Sequence, residues 1–368
     1  MRILELCHYS ARICGVWNRV REEASLLTKR GYQVRVFSSN LVKGSKDIAP
    51  SEGEFKGVKI RRFKAKKLGG ESFMYWDFEK DALKYNPDII VAHSYRQIHT
   101  TAALKIGKKI GAKVFLVTHA PFVENDLTRS FFAKFFVRLY DWFIGPFSLN
   151  KFDKIIAITK WEIPYLERLG AMRNKMEYIP NGIPKVFFQL KKGKEENKIL
   201  FLGRISPIKN LEVLIKAFSL IKNKKIKLEI VGPTEKDYLI ELENLIRKFK
   251  LEKRISFSPP IFDLREKINK IDSAKIFILP SKSEAMPQAL IEAMARGKIV
   301  IGSDNRGIKE LIKNGENGYL FRVGDPEELA KKIDLGLKGN KKMKKEAKKS
   351  VGRFNWGNII KKIEGLLV

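Results

Sequence analysis

The sequence predicts an α/β protein built as two similar halves, each a doubly wound and mostly parallel sheet. Three observations predict it. Apolar runs of strand length alternate with helical periods along most of the chain. The alternation weakens once after Pro180, through the charged stretch VFFQLKKGKEEN, which reads as a linker, and then resumes. The length of 368 residues suits two cores of ordinary size better than one. The boundary is therefore drawn between residues 185 and 186, with an N-terminal domain over 1–185 and a C-terminal domain over 186–352.

In order, Ile3 to Leu6 form a strand, a loop runs through Gly15, and a helical pattern spans about Asn18 to Arg30 before a strand at Val34 to Phe37. Strand, Gly-containing loop, helix, strand is a βαβ unit and implies parallel pairing. DIIVAH (88–93) and KVFLVTH (113–119) read as buried strands ending in polar residues, and KIIAIT (154–159) as a further one. The second half begins with KILFLG (198–203), followed by a helix over 209–222 and the strand KLEIVG (227–232). A helix over 235–249 and strands at RISFS (254–258), KIFILP (275–280) and KIVIGS (298–303) complete it. The terminal RFNWGNIIKKIEGLLV (353–368) is an amphipathic helix able to cross back onto the first domain. Ligands of such sheets bind at the carboxyl ends of the strands, and with two such domains the cleft between them is the expected site.

Apolar residues make up 44% of the chain, which is globular and not disordered. The net charge is +32, spread over both halves, so the classes of partner it favours are anionic: membrane surface, phosphorylated ligand or nucleic acid. A lysine-rich proteome explains the charge equally well. A nucleic-acid binder needs a basic face with interleaved aromatics, whereas here basic residues occur on most segments, so no nucleic-acid partner is expected. Cys7 and Cys14 are the only cysteines, too few for a disulfide framework or a zinc pattern; they read as reduced and buried, consistent with cytoplasm. MRILELCHYS lacks a signal-peptide core, and no run is long enough to span a bilayer.

Three stretches carry chemistry. In SEAMPQALIEAMARG (283–297), Pro287 suits the first turn of a helix over about 286–296, which Gly297 stops. The free amides and dipole of that helix make an anion site. Glu284 falls in the loop before the helix, and Glu292 about two turns into it, in an apolar setting where an acid needs a partner. A carboxylate beside a phosphate site suits paired sugar hydroxyls. In FLGRISPIKN (201–210), a strand ends at Gly203, and Arg204 and Lys209 follow across a short loop, a fork and a point charge suited to a diphosphate. In YIPNGIP (178–184), Asn181-Gly182 between prolines is a tight turn, as fit for a domain edge as for a ligand contact. His93 and His119 end predicted strands and so point toward the cleft.

GR-x4-K, then E-x7-E, with the P-N-G turn between the halves, resembles the retaining glycosyltransferases of family 4. The resemblance extends over GVWNRVREEASLLTKRGYQVRVFSS, LVTHAPF (116–122), AITKWEIPYLERLGAMRNKMEYIPNGI (157–183) and NLEVLIKAF (210–218), and so over nearly the whole chain. It implies a GT-B fold, two Rossmann-like domains facing a cleft, with an acceptor-binding first domain and a nucleotide-sugar-binding second. It implies transfer of a hexosyl group from a UDP- or GDP-sugar co-substrate, without cofactor or essential metal, to a lipid-linked or saccharide acceptor. Residue by residue, it implies that Arg204 and Lys209 bind the donor diphosphate and neutralise the leaving group, that Glu292 holds the ribose, and that Glu284 sits against the transferred sugar. Gly203, Met286, Gln288 and Ala289 would touch sugar or phosphate, Gly15 would admit the diphosphate to the first domain's backbone, and His119 would lie near the reacting carbon. His93 and Asn181 are further cleft candidates. Two departures stand out: Pro287 replaces a frequent glycine and cannot donate an N–H, and Cys14 replaces the first of two glycines. A GT-B epimerase and a non-catalytic nucleotide-sugar binder are the alternatives.

RSFFAKFFVRLYDWFIGPFSLNKF (129–152) has Lys134, Arg138 and Asp141 on one narrow stripe of an otherwise apolar, aromatic helix. Such a helix suits either a membrane interface or burial inside the first domain. The positive charge favours anionic lipid, and with it a peripheral location on the inner face of the membrane.

Overall fold

The computed structural model describes residues 1–12, 14–67, 74–121, 131–143, 145–189 and 193–367. Phe122, residues 129–130 and 144 of the aromatic stretch, and 190–192 of the charged stretch lie outside the described residues. Two compact units emerge, one of residues 1–181 with 359–368 and the other of 182–358.

The first unit holds an eight-stranded sheet. Its strands are β1 (Arg2–Cys7), β2 (Gln33–Ser39), β3 (Glu52–Phe55), β4 (Val58–Phe63), β7 (Ile89–His93), β8 (Lys113–Val117), β9 (Lys154–Ala157) and β10 (Met176–Tyr178), in the order β10-β9-β8-β7-β1-β2-β4-β3. All neighbours are parallel except β3 and β4. A separate antiparallel pair, β5 (Ala65–Lys67) and β6 (Met74–Trp76), lies in sequence between β4 and β7. The sequence reading has no strand anywhere between 52 and 76: β3 is four residues with one apolar side chain, Phe55, and β5 and β6 are three residues each, while β4, with Val58 and Ile60 buried between exposed Lys59 and Arg61, carries an alternation that went unread. Helix α1 (Gly15–Thr28) starts three residues ahead of its predicted start, with Cys14 as N-cap. Helices α2 (Glu79–Tyr85) and α3 (Ile98–Ile110) precede and follow β7. Further on come α4 (Phe131–Phe143), α5 (Gly145–Leu149) and α6 (Ile163–Arg168).

The second unit is a six-stranded, wholly parallel sheet. It comprises β11 (Lys198–Leu202), β12 (Lys227–Val231), β13 (Ile255–Ser258), β14 (Ile276–Leu279), β15 (Ile299–Ser303) and β16 (Tyr319–Phe321). The order β13-β12-β11-β14-β15-β16 is the doubly wound 3-2-1-4-5-6 arrangement. Its central strands are apolar on both faces, as burial between two helical layers requires. The helices are α7 (Leu211–Leu220), α8 (Lys236–Lys248), α9 (Leu264–Ser273), α10 (Gln288–Ala295), α11 (Arg306–Lys309), α12 (Pro326–Leu337) and α13 (Lys341–Ser350). Helix α14 (Trp356–Leu367) starts in this unit, and from Ile359 on it belongs to the first, where Arg30 pairs with Glu364.

The charged stretch after Pro180 is not a free linker along its whole length. Phe187 is fully buried in the second core, and Arg296 donates to the carbonyls of Phe187 (3.3 Å) and Gln189 (2.9 Å). The same guanidinium makes a bidentate pair with Asp272 (2.8 and 2.6 Å), buried on both sides. A guanidinium taken out of water needs such a full set of acceptors.

Candidate active site

Each sheet has one topological switch point, where the winding direction reverses and the strand ends leave a crevice. In the second unit it lies between β11 and β14, and the residues singled out from sequence gather there. Gly203 leaves β11 in a turn pressed against the next one: a Cβ on Gly232 (φ +151°) would stand 1.9 Å from the Gly203 carbonyl oxygen. Arg204 follows, exposed and in no ion pair among the described residues. A 3-10 turn over Pro207–Lys209 ends at Asn210, whose left-handed φ of 56° lets α7 start in a new direction.

That turn delivers Lys209 to the loop after β14. Its Nζ lies 2.5 Å from Glu284 Oε1, and Ser281 Oγ donates to the same oxygen at 2.6 Å. Both members of the ion pair are mostly buried. The loop is fixed from below. Ser303 Oγ and Asn305 Nδ2 both donate to the Ser281 carbonyl, at 2.5 and 2.9 Å. Gly307 packs so closely that a Cβ would stand 2.3 Å from the Glu284 carbonyl oxygen.

Pro287 is the N-cap of α10, not a residue of its first turn, so Glu292 lies about one turn into the helix and not two. The half-buried Met286, Gln288 and Ala289 surround that helix start, whose first amides lack intrahelical acceptors. Glu292 is buried, and its Oε2 stands 2.5 Å from Lys267 Nζ of α9. A carboxylate, a lysine, an open helix N-terminus and a free guanidinium around one crevice can hold an anion flanked by hydroxyl groups.

The switch point of the first unit lies between β1 and β7. A cavity of about 180 Å³ there is lined by His8, Tyr9, Cys14, Lys43, Tyr95 and His119, among others. Gly15 opens α1, exposed, and a Cβ on it would meet nothing within 4 Å, so the fold itself does not require a glycine. His93 ends β7 as predicted. His119 does not end β8, which stops at Val117; it sits two residues on, with φ 58°, followed by Ala120 at φ 49°. Two left-handed non-glycine residues in a row are strained and need a reason. Glu162 supplies the holding force: it accepts from Thr118 Oγ1 (2.7 Å) and from the amides of Ile158 (2.6 Å) and Thr159 (2.9 Å). Burial pushes its carboxyl up to about 7 against the pull of these donors.

Behind His119 lies a buried polar array. His93 Nδ1 is 2.9 Å from His119 Nε2, and His93 Nε2 is 2.7 Å from Glu5 Oε2. Arg19 pairs with Glu23 at 2.5 Å and donates to the carbonyls of Ile179 and Pro180 and to Asn181 Oδ1. Asn181, the cleft candidate, is therefore buried against Arg19. Burial raises the Glu5 carboxyl to about 8, with Arg19 opposing it, and lowers His93 to about 3.

Residues 13–185 match the family model for Glycosyltransferase Family 4, and residues 182–350 match that for Glycosyl transferases group 1. The chain belongs to these glycosyltransferases. An uncharacterized glycosyltransferase of Haemophilus influenzae is 32% identical over 189 residues, 50% of this chain and 51% of that one. An uncharacterized glycosyltransferase of Methanocaldococcus jannaschii is 26% identical over 344 residues, 87% of this chain and 90% of that one. The crystal structure of Anabaena HepE in complex with UDP and glucose aligns at a TM-score of 0.78 and 18% identity, over 100% of this chain and 99% of that one. The shared fold is GT-B, with two Rossmann-like domains.

Around the second crevice of this glycosyltransferase, sequence reasoning missed Ser281, Lys267, Asn305 and Gly307. Ser281 had a signal, the S-x-x-E spacing to Glu284. Lys267 had none, because its partner Glu292 lies on another helix. In the first unit the sequence reading singles out none of Glu5 on β1, Arg19 and Glu23 on α1, or Glu162 just before α6.

Proposed function

We propose that the glycosyltransferase moves a hexosyl group, with retention, from a UDP- or GDP-sugar to a lipid-linked or saccharide acceptor. The observation that carries this reading is the Lys209–Glu284 pair in the loop that leads into α10, with Arg204 exposed just past the end of β11. The two cations take the donor diphosphate and stabilise the charge that develops on it as the sugar leaves, work a metal ion does elsewhere. Glu284 holds the sugar and Glu292 the ribose, with Lys267 as a neighbour the carboxylate shares. The first unit takes the acceptor, and His119 lines its cavity. HepE, whose structure holds UDP and glucose, lends support at the level of donor class.

A thermal-shift panel of nucleotide-sugars tests the reading. Ligand bound by the native state alone raises Tm by mass action. One nucleotide-sugar is expected to stabilise the wild type and to lose that effect in Lys209→Met. Nucleotide release only in the presence of acceptor marks a transferase; an isomerised donor without release marks an epimerase. Binding without either reaction marks a non-catalytic binder.

The acceptor reading rests on α4. Phe135, Leu139, Trp142 and Phe143 recur at spacings of four, three and one, on one face, and all four are exposed, Trp142 at 75%. Phe147 beyond them is 73% exposed. Asp141, of the polar stripe, pairs with Arg96 at 2.7 and 2.5 Å, and Tyr140 packs edge-on to Tyr95. The side chains of Lys134 and Arg138 lie outside the described residues. Among those described, the helix turns aromatics outward, the arrangement of an interfacial helix. No helix among the described residues is long and apolar enough to cross a membrane. Flotation with anionic vesicles is the test: co-flotation lost in Trp142→Ser/Phe147→Ser supports a lipid surface, and none in the wild type refutes it.

A further inference from the structure

The array behind His119 is linear. Glu5 Oε2 meets His93 Nε2 at 2.7 Å, and His93 Nδ1 meets His119 Nε2 at 2.9 Å, so each ring uses a nitrogen on its neighbour. A neutral imidazole has one N–H and one lone pair. The direction of the first hydrogen bond therefore dictates the direction of the second, and the second dictates which nitrogen of His119 keeps its proton. Nδ1 is the nitrogen left for a ligand in the cavity that His119 lines.

We propose that Glu5 and His93 are positioning residues for His119, forming a hydrogen-bonded wire that carries one proton between the buried Glu5 carboxyl and His119 Nδ1. In the proton-loaded state, Glu5 O–H donates to His93 Nε2, His93 Nδ1–H donates to His119 Nε2, and His119 presents Nδ1–H. When a proton leaves Nδ1, His119 Nε2 takes the proton of His93 Nδ1, and His93 Nε2 takes that of Glu5. One proton has left at the cavity, the negative charge rests on Glu5, and His119 presents a bare lone pair. The site thus offers a ligand a donor or an acceptor at the same atom.

Three features favour the loaded state at neutral pH. Glu5 Oε1 is buried without a hydrogen-bond partner among the described residues, which a neutral acid tolerates better than a carboxylate. Burial raises the Glu5 carboxyl to about 8. Burial also disfavours imidazolium on His93 and His119, so the proton is stored on the acid and not on a ring. The charged and titratable groups around the array are Arg19 and Glu23 on α1, Cys7 and His8 at the end of β1, His99 on α3, and Lys43. Arg19 is the group that pulls Glu5 toward ionisation. His99 Nε2–H donates to the His93 carbonyl at 2.8 Å and so holds the middle of the wire by its backbone.

The proposal rests on the reading of His119 as a site residue, so its test uses no nucleotide-sugar. The chain has four histidines, few enough to assign in the full-length protein by ring ¹⁵N labelling, with His119→Gln identifying the relevant signals. Long-range ¹H–¹⁵N correlation reads which nitrogen carries the proton. As pH rises from about 6 to about 10, His119 is expected to change from Nδ1–H to Nε2–H with His93 changing in step. In Glu5→Gln the amide cannot ionise, so both rings keep one tautomer over the whole range. A pH limb on kcat that is present in the wild type and absent in Glu5→Gln, with donor KM little changed, is the matching kinetic outcome. A wild-type His119 that holds one tautomer throughout overturns the proposal without any variant, as does a reversal that survives in Glu5→Gln. Neither result bears on donor binding, and failure of the nucleotide-sugar panel leaves the wire standing.

Discussion

Lys209→Met is the substitution that tests the second crevice most directly. The Nζ it removes lies 2.5 Å from Glu284 Oε1, and only the Ser281 hydroxyl then remains on that oxygen. The two side chains are 19% and 11% exposed. Exposed pairs contribute about 0–1 kcal/mol, while stripping one partner from a fully buried pair costs about 3–5 kcal/mol. This pair falls between, so about 2 kcal/mol of stability is lost, or roughly 4–8 °C in Tm for a domain of this size. Glu284→Gln is expected to cost a similar amount. Because the interaction can be lost only once, the double variant loses about 2 and not about 4 kcal/mol, a coupling of about 2 kcal/mol. Catalysis responds separately: a charge-assisted hydrogen bond to the donor contributes about 1.5–3 kcal/mol, roughly 10–150-fold in kcat/KM. Melting curves of the four proteins give the coupling, and initial rates of nucleotide release give the catalytic term. Additive melting effects would falsify the ion pair, and unchanged release in Lys209→Met removes Lys209 from the donor site.

Gly307→Ala places a methyl 2.3 Å from one backbone carbonyl and 2.6 Å from the next, neither of which yields cheaply. The expected cost is about 1–3 kcal/mol, with donor affinity falling further as the Glu284 loop shifts; calorimetry of both quantities checks it. Arg296→Leu leaves Asp272 buried without its partner and frees the Phe187 and Gln189 carbonyls. A loss of about 3–5 kcal/mol by denaturant titration is expected, with early proteolysis near residue 189. Glu5 makes stability depend on pH with a defined sign. Its carboxyl is raised from 4.5 to about 8, so the folded chain keeps a proton that the unfolded chain releases. That contribution is complete below pH 4.5, declines by up to about 1.4 kcal/mol per pH unit, and is gone once pH passes about 8. Denaturant midpoints of Glu5→Gln measured across this window are expected to lose that slope.

Most of the second unit was legible in the sequence because its central strands are apolar on both faces and its helices have clean periods. KILFLG, KLEIVG and KIFILP each correspond to an observed strand within a residue or two. Within 52–76, β3, β5 and β6 were illegible for the opposite reason: they are short or polar and depend on pairing, which no local pattern records; β4 does alternate, with Val58 and Ile60 buried, and went unread. The cations at the crevice were readable as residue types after a strand. That Lys209 reaches Glu284, 75 residues away, was not.

The sequence by itself determined the alternation of strand and helix, and with it the doubly wound class and the carboxyl ends of the strands as the place for a site. Local periodicity and loop residues suffice for that, since right-handed crossovers leave few alternatives. Only the tertiary structure decided which charges meet. Glu5, His93 and His119 come from three strands or strand ends, Glu162 from the loop after a fourth, and Lys267 and Glu292 from two helices. Electrostatic partnership depends on distance and burial, and sequence separation encodes neither.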